Sequence, residues 1–292
     1  MAPPRAGILT APKIRKITKR MIASWERSGR VMEGRPRRRG YHGGSFRRKD
    51  RPLVYAHRGS SLERPENSCA AFELAAAQGA DGIECDVRRC ASGELVVCHD
   101  ETLERLAGVP VAVRDLPLAA LQRLEILEDR FPGVGARIPT LAEAIEAGGE
   151  ALIWNLELKV DRHVEAEPLA HQAVKEIARL RLADRVLVSS FHPQALLSLR
   201  VAAPTIPTAW LWERKAGLGR VWDDLWGRLC ASAALHPQAE AVTAAQVERW
   251  HDRGMAVNPW TVDDPEELDR LRACGVDGVI TNVPALALAR FT

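Results

Sequence analysis

Four short apolar runs in this chain contain, or end in, residues able to handle a phosphate and a metal ion. Ala56-His57-Arg58-Gly59 closes the first, and Ile83-Glu84-Cys85-Asp86-Val87 lies within the second. Val97-Cys98-His99-Asp100 closes the third, and Trp154-Asn155-Leu156-Glu157-Leu158-Lys159 forms the fourth. Residues two apart on a strand point the same way, so Glu84 and Asp86 share a face. Two acids on a strand can simply meet solvent. Here Ile83, Cys85 and Val87 occupy the opposite face and suit helix packing, which turns the acids toward a barrel interior. Charges persist there only when paired or bound to metal. Glu157 and Lys159 repeat the spacing. Glu84, Asp86 and Glu157 together make an oxygen-donor set for one hard divalent cation, Mg2+ or Ca2+. Lys159 would stand beside them, able to meet a phosphate anion.

His57 and His99 each end an apolar run. A lone histidine is most often structural, but imidazole titrates near neutral pH, and a pair can serve as general base and general acid. Which would do which is open. Arg58 can grip a phosphate through its planar fork. A metal site, two histidines, an arginine and a lysine suit phosphoryl chemistry better than acyl transfer. The chain has no G-x-S-x-G elbow, Walker A loop or G-x-G-x-x-G.

These residues need a scaffold that brings strand ends together. Strand-like runs occur at Leu53–His57, Gly82–Val87, Leu95–His99, Leu152–Lys159, Val186–Ser190, Thr208–Trp212, Ala234–His236, Met255–Val262 and Gly278–Thr281. Amphipathic helices fit between most of them, including Ser68–Gln78, Leu141–Ala147, Glu165–Leu180 and Pro265–Ala273. This alternation predicts a parallel α/β domain, and its length suits a TIM-type (β/α)8 barrel, with a doubly wound open sheet as the rival. Seven residues, Arg88–Glu94, separate the second and third runs, too few for a parallel crossover. Ser92-Gly93 reads as a hairpin turn that sets Asp86 roughly opposite His99. One antiparallel pair therefore makes the barrel imperfect, and nine strands for eight places implies that one assignment is wrong. The small insertion at about 101–138, after the third strand, carries a helix expected over Leu116–Leu127 and could cap the site.

Charge divides the chain in two. Residues 1–51 hold 16 Lys and Arg against 3 Asp and Glu, whereas residues 52–292 hold 25 against 35. The first segment reads as a basic arm. A short amphipathic helix is expected over Lys13–Ser28, then an unstructured Gly- and Arg-rich stretch, unless Met21 or Met32 is the true start. The arm's charge suits anionic membrane or nucleic acid. Residues 52–292 read as the barrel domain. No apolar run reaches the roughly 18–20 residues of a membrane span. The first ten residues are Pro-rich rather than apolar, so no secretory signal is evident. Six cysteines lack metal-site spacing and read as reduced structural thiols, which gives a cytoplasmic protein as the expectation. No protein partner is evident.

With these motifs in order, the chain resembles the glycerophosphodiester phosphodiesterase family. A-H-R-G at 56–59, P-E-N-S at 65–68, G-A-D-G-I-E-C-D-V at 79–87 and V-V-C-H-D at 96–100 carry the likeness. I-P-T-L at 138–141, L-E-L-K at 156–159, S-S-F at 189–191, P-W-T-V at 259–262 and G-V-D-G-V-I-T-N at 275–282 continue it. It covers about residues 53–288. The resemblance implies a TIM-type barrel that hydrolyses glycerophosphodiesters to glycerol 3-phosphate and an alcohol. It places Glu84, Asp86 and Glu157 as metal ligands, His57 and His99 as the acid–base pair, and Arg58 and Lys159 at the phosphate. Glu66 corresponds to a required acid at the metal or the glycerol, and Trp260 to an aromatic near the substrate. Cys85 replaces a more usual aliphatic residue. Asp263 and Asn282 stand where Asn and Asp are more usual, late positions read as bearing on substrate trimming more than on chemistry.

Two rivals remain. A lysophospholipase D would act on lipids that retain an acyl chain, helped by the basic arm and by apolar residues such as Phe131. A non-catalytic phosphodiester or lipid binder fits less well, because a degenerate binder usually loses at least one of the two histidines or three acids.

Overall fold

The computed structural model describes residue 48 and residues 50–127, 130–133, 135–213, 230 and 232–292. The helix expected over Lys13–Ser28 and the rest of the arm up to residue 47 lie outside the described residues. The strands are β1 (Leu53–His57), β2 (Gly82–Arg89), β3 (Leu95–Val97), β4 (Thr102–Leu103), β5 (Val109–Ala112), β6 (Ile153–Leu158), β7 (Val186–Ser190), β8 (Thr208–Trp212), β9 (Ala234–Pro237), β10 (Ala256–Val257) and β11 (Gly278–Thr281). Eight of them run parallel in the order β10-β9-β8-β7-β6-β2-β1-β11. Backbone bonds from Asp277 N to Val257 O (2.9 Å), Ile280 N to Pro259 O (2.9 Å) and Val262 N to Ile280 O (3.0 Å) join the two ends. The result is a nearly closed TIM-type barrel. The expected run Met255–Val262 shrinks to two ladder residues because Pro259 has no N–H to donate.

All nine expected runs are strands, so none of the nine was misassigned. The ninth, β3, lies off the barrel and pairs antiparallel with β2. The register sets Val87 against Val97, and Cys98 N bonds Asp86 O at 2.9 Å. Asp86 is therefore opposite Cys98, one residue short of the expected partner. The hairpin also changes how His99 arrives. β2 climbs past the barrel rim, turns, and β3 descends, so His99 approaches the strand ends from above.

Helices α1 (Cys69–Ala77), α4 (Leu141–Gly148), α5 (Ala166–Arg179), α6 (Pro193–Ala202), α7 (Ala244–His251), α8 (Pro265–Cys274) and α9 (Pro284–Phe291) cover the barrel; α2 (Glu104–Ala107) and α3 (Leu118–Leu121) belong to the insertion. Side chains of Ser68, Thr140, Thr243 and Asp264 cap α1, α4, α7 and α8 by accepting from first-turn N–H groups. Ile83, Cys85 and Val87 pack outward with Phe72, Leu141 and Trp154, as their alternation requires. Burying each large side chain of this layer contributes about 1.5–3 kcal/mol. Among the described residues no helix is long and apolar enough to cross a membrane.

The insertion is a packed unit. The helix expected over Leu116–Leu127 shortens to α3, because the chain after it extends and bridges Glu125 to Arg137. β4 and β5 pair antiparallel ahead of it, and Leu103, Leu106, Val113, Leu121 and Ile126 pack with Cys98. The strand end that carries His99 is thus anchored in the insertion's own core.

Candidate active site

Strand register alone assembles the centre of the site. β1–β2 pairing sets His57 beside Glu84, and β2–β6 pairing sets Asp86 beside Glu157. Paired residues of parallel strands point the same way, so all four side chains face the barrel interior at its carboxyl end, where catalytic residues of such barrels gather. Oxygens of Glu84, Asp86 and Glu157 lie within 4.8 Å of one another, and all three residues are buried. Crowding shows in their protonation. Burial and the Asp86 charge push Glu84 well above the usual carboxylate range. Burial raises Glu157 despite the opposing pull of Lys159. Asp86 is held low, its burial outweighed by Lys159 and Arg58.

Two cations already lean on the cluster. Lys159 Nζ is 2.6 Å from Glu157 Oε1 and 3.0 Å from Asp86 Oδ1; Arg58 Nε is 3.2 Å from Asp86 Oδ2. Neither contact to Asp86 has hydrogen-bond alignment, and Glu84 Oε1 and Asp86 Oδ1 stay buried without a hydrogen-bond donor. Three buried carboxylates converging from two strands, with two oxygens on β2 left unbonded, fit a hard divalent cation, and no nitrogen or sulfur donor intrudes among the three.

His57 is fixed from behind. Its Nδ1 lies 2.7 Å from Asn282 Oδ1, which also accepts from Ser61 Oγ at 2.8 Å. Asn282 Nδ2 donates to Asp263 Oδ2 at 2.6 Å, and Asp263 Oδ1 accepts from Asn282 N and Thr281 Oγ1. His57 Nε2 faces the cluster, 3.8 Å from Glu84 Oε2. Burial, reinforced by the Arg58 charge, lowers His57 to about 4, so the ring is neutral at physiological pH. Arg58 sits at φ +56°, unusual for a side-chain-bearing residue, and its N bonds Glu84 O at 2.9 Å. At Gly59 (φ +80°) an added Cβ would stand 2.6 Å from the Ala71 backbone, so the turn after His57 admits only glycine.

His99 is fixed differently. Its Nδ1 is 2.7 Å from Asp100 Oδ1, and Asp100 Oδ2 accepts from Arg105 Nε at 2.6 Å. Arg105, on α2 of the insertion, also donates to Glu66 Oε1 at 2.7 Å. Arg88 pins the main chain from below, with Nη2 2.6 Å from His99 O and a further contact to Asp161. About a third of the His99 side chain is exposed. Burial still lowers its pKa, opposed by the Asp86 charge.

Of the nine residues singled out in the sequence, eight meet around this cluster. Glu66 lies outside the carboxylate trio, gripped by Arg58 at 3.1 Å and by Arg105. Trp260 stands apart, its Nε1 bonded to His236 O at 2.8 Å and its ring edge-on to half-exposed Phe191 at 5.5 Å. Asp263 and Asn282, read as trimming the substrate, are instead wired directly to His57. Sequence reasoning also passed over Asp100, although it adjoins His99 in V-V-C-H-D. Nothing local marked Arg88 or Arg105, and Asn67, whose Nδ2 reaches Asp86 Oδ2 at 2.7 Å, went unremarked within P-E-N-S.

The sequence profile of the Glycerophosphoryl diester phosphodiesterase family matches residues 57–286. A glycerophosphodiester phosphodiesterase of Caldanaerobacter subterraneus subsp. tengcongensis is 35% identical over 236 residues, 80% of this chain and 94% of that protein. Another, from Bacillus altitudinis, is 31% identical over 239 residues, 80% of this chain and 96% of that one. Among solved structures, an Oleispira antarctica phosphodiesterase in complex with the product sn-glycerol-3-phosphate superposes with a TM-score of 0.75 at 29% identity, covering 82% of this chain and 96% of that one. Matched over most of its length by the profile, and by a relative with which it shares 35% of aligned residues, the chain belongs to the glycerophosphoryl diester phosphodiesterase family.

Proposed function

We propose that the chain hydrolyses glycerophosphodiesters to glycerol 3-phosphate and an alcohol, with one divalent cation held by Glu84, Asp86 and Glu157. The observation that carries the reading is the meeting of three buried carboxylates, within 4.8 Å, beside an imidazole whose Nε2 faces them. A bound cation would supply positive charge opposite the diester's oxygens. The all-oxygen donor set favours Mg2+ or Ca2+ over softer metals. Arg58 and Lys159 border the same space, and we assign them to the phosphoryl oxygens, where fixed cations stabilise developing charge. Glu66 orients Arg58, and the family likeness assigns Trp260, edge-on to Phe191, to the place of an aromatic near the substrate.

The two imidazoles divide the proton work. His57 is deeply set and neutral, backed by an amide oxygen that stabilises its charged form less than a carboxylate would, so its Nε2 lone pair takes the nucleophile's proton. The nucleophile is water or the neighbouring glycerol hydroxyl. His99 has a carboxylate behind it, which stabilises an imidazolium, and it returns a proton to the departing alkoxide.

The test is glycerophosphocholine turnover after EDTA treatment, followed by Mg2+ or Ca2+ in separate add-back arms. Loss with EDTA and recovery with one ion are expected; full activity after stripping would refute the metal role. A second substrate range draws support from exposed Phe191 beside Trp260, which could shelter an acyl chain. Comparing lysophosphatidylcholine with glycerophosphocholine decides it. Six free cysteines suit a reducing cytoplasm, and the basic arm would meet anionic membrane or nucleic acid there.

A further inference from the structure

A histidine serves as a base only through the nitrogen that lacks a proton, so whatever decides the tautomer decides whether the base is available. For His57 that decision is made two residues away from the ring. A carboxylate has no proton to give and can only accept hydrogen bonds. Asp263 Oδ2, 2.6 Å from the Asn282 amide, must therefore face the NH2 end. Its other oxygen is engaged by Asn282 N (2.8 Å) and Thr281 Oγ1 (3.0 Å), which locks the carboxylate in place. Once Nδ2 is committed, Oδ1 is the atom left for His57 Nδ1 at 2.7 Å and Ser61 Oγ at 2.8 Å. An amide oxygen accepts, so His57 Nδ1 carries the proton. Nε2, on the side of Glu84, keeps its lone pair.

We propose that Asp263 is a positioning residue which, by fixing the orientation of the Asn282 amide, sets the tautomer of His57 and keeps its Nε2 free to accept a proton. Without the carboxylate, the amide can turn over. Its NH2 would then face the ring, Nδ1 would become the acceptor, and the proton would move to Nε2, where it blocks the base. The order of the two residues matters less than having one carboxylate and one amide. With the two exchanged, an amide at position 263 would donate to a carboxylate at 282, and that carboxylate would accept from His57 Nδ1 and Ser61.

The proposal rests on His57 acting as the base, and its test reads tautomer and turnover separately. Histidine 15N NMR of the wild-type chain should show His57 protonated at Nδ1, and D263N should show a substantial population protonated at Nε2. In glycerophosphocholine assays, D263N should lose roughly 10- to 100-fold in kcat with KM little changed, the range for a hydrogen bond to an ionised group. N282D should also be impaired, because it sets two carboxylates against each other. The double variant D263N/N282D should recover to within a few-fold of wild type and restore the Nδ1 tautomer. The amide oxygen introduced by D263N can still accept from Thr281 and from the backbone N–H of residue 282, so the variant keeps those structural bonds. An unchanged His57 tautomer in D263N, or a double variant no better than the worse single, would overturn the proposal. A tautomer change with no effect on turnover would leave the positioning intact and remove His57 from the base role.

Discussion

The two histidines of this site have the same side chain and opposite surroundings. His57 sits at the end of a barrel strand, buried, with a neutral amide on Nδ1. His99 descends from above, a third exposed, with a carboxylate on Nδ1 and a guanidinium behind that. In both, the partner is an acceptor, so both rings keep Nδ1 protonated and present Nε2. The partners differ in what they do once a ring gains a second proton. Asp100 gains attraction to an imidazolium, and the Asn282 oxygen gains far less. An acid–base pair can thus be differentiated by the charge of the group behind each ring.

Removing either ring should break that division most severely. H57N and H99N should each lower kcat/KM on glycerophosphocholine by about 10²- to 10⁴-fold. They should part company on an activated substrate such as glycerol 3-phosphate p-nitrophenyl ester. The H99N defect should shrink there, because a good leaving group needs no acid, and the H57N defect should persist; equal defects on both substrates would erase the contrast. A milder cut is D100N, which keeps the geometry and removes the charge. Roughly 10- to 100-fold loss of kcat is expected, the cost of a hydrogen bond to an ionised group.

The exchange D263N/N282D sharpens the contrast through pH. His57 now titrates at about 4, lowered first by burial and then by Arg58. A carboxylate on Nδ1 would favour the protonated ring and raise that pKa. Activity needs the neutral ring, so the acid limb of the kcat/KM profile should move to higher pH. A profile superimposable on wild type would show that the partner's charge has no hold on His57. The smallest effect belongs to R105K, which keeps a cation but loses the fork joining Asp100 to Glu66. Arg105 is nearly half exposed, so stability should change by less than about 1 kcal/mol in thermal melts. A kcat loss of only a few-fold should accompany it.

Much of this is legible in the amino-acid sequence. The acids and His57 announced themselves by interrupting apolar runs, and alternation within β2 correctly turned Glu84 and Asp86 inward. The short Arg88–Glu94 connection gave the antiparallel pair. The relay behind His57 was illegible, for a physical reason. Asn282 is 225 positions from His57, and only barrel closure brings them together. Asp263 and Asn282 looked like a departure from pattern at the periphery, whereas their exchange leaves a carboxylate–amide pair intact. Pairing register was nearly legible, missing by one residue at Asp86, since turn composition marks a hairpin without fixing which residues face each other. The α3 segment was overextended because its apolar spacing serves the insertion's core rather than a longer helix.

The β2–β3 hairpin behaves as a caliper. One jaw carries Glu84 and Asp86, the other ends at His99, and the turn at residues 90–94 sets the gap between them. Lengthening or trimming one arm by a single residue would swing the imidazole to the wrong side of the ribbon. A two-residue change would keep the side but slide the ring by roughly 7 Å, more than a hydrogen bond can span. The tolerance of this enzyme to insertions should therefore be lowest in a solvent-facing turn that touches neither metal nor phosphate.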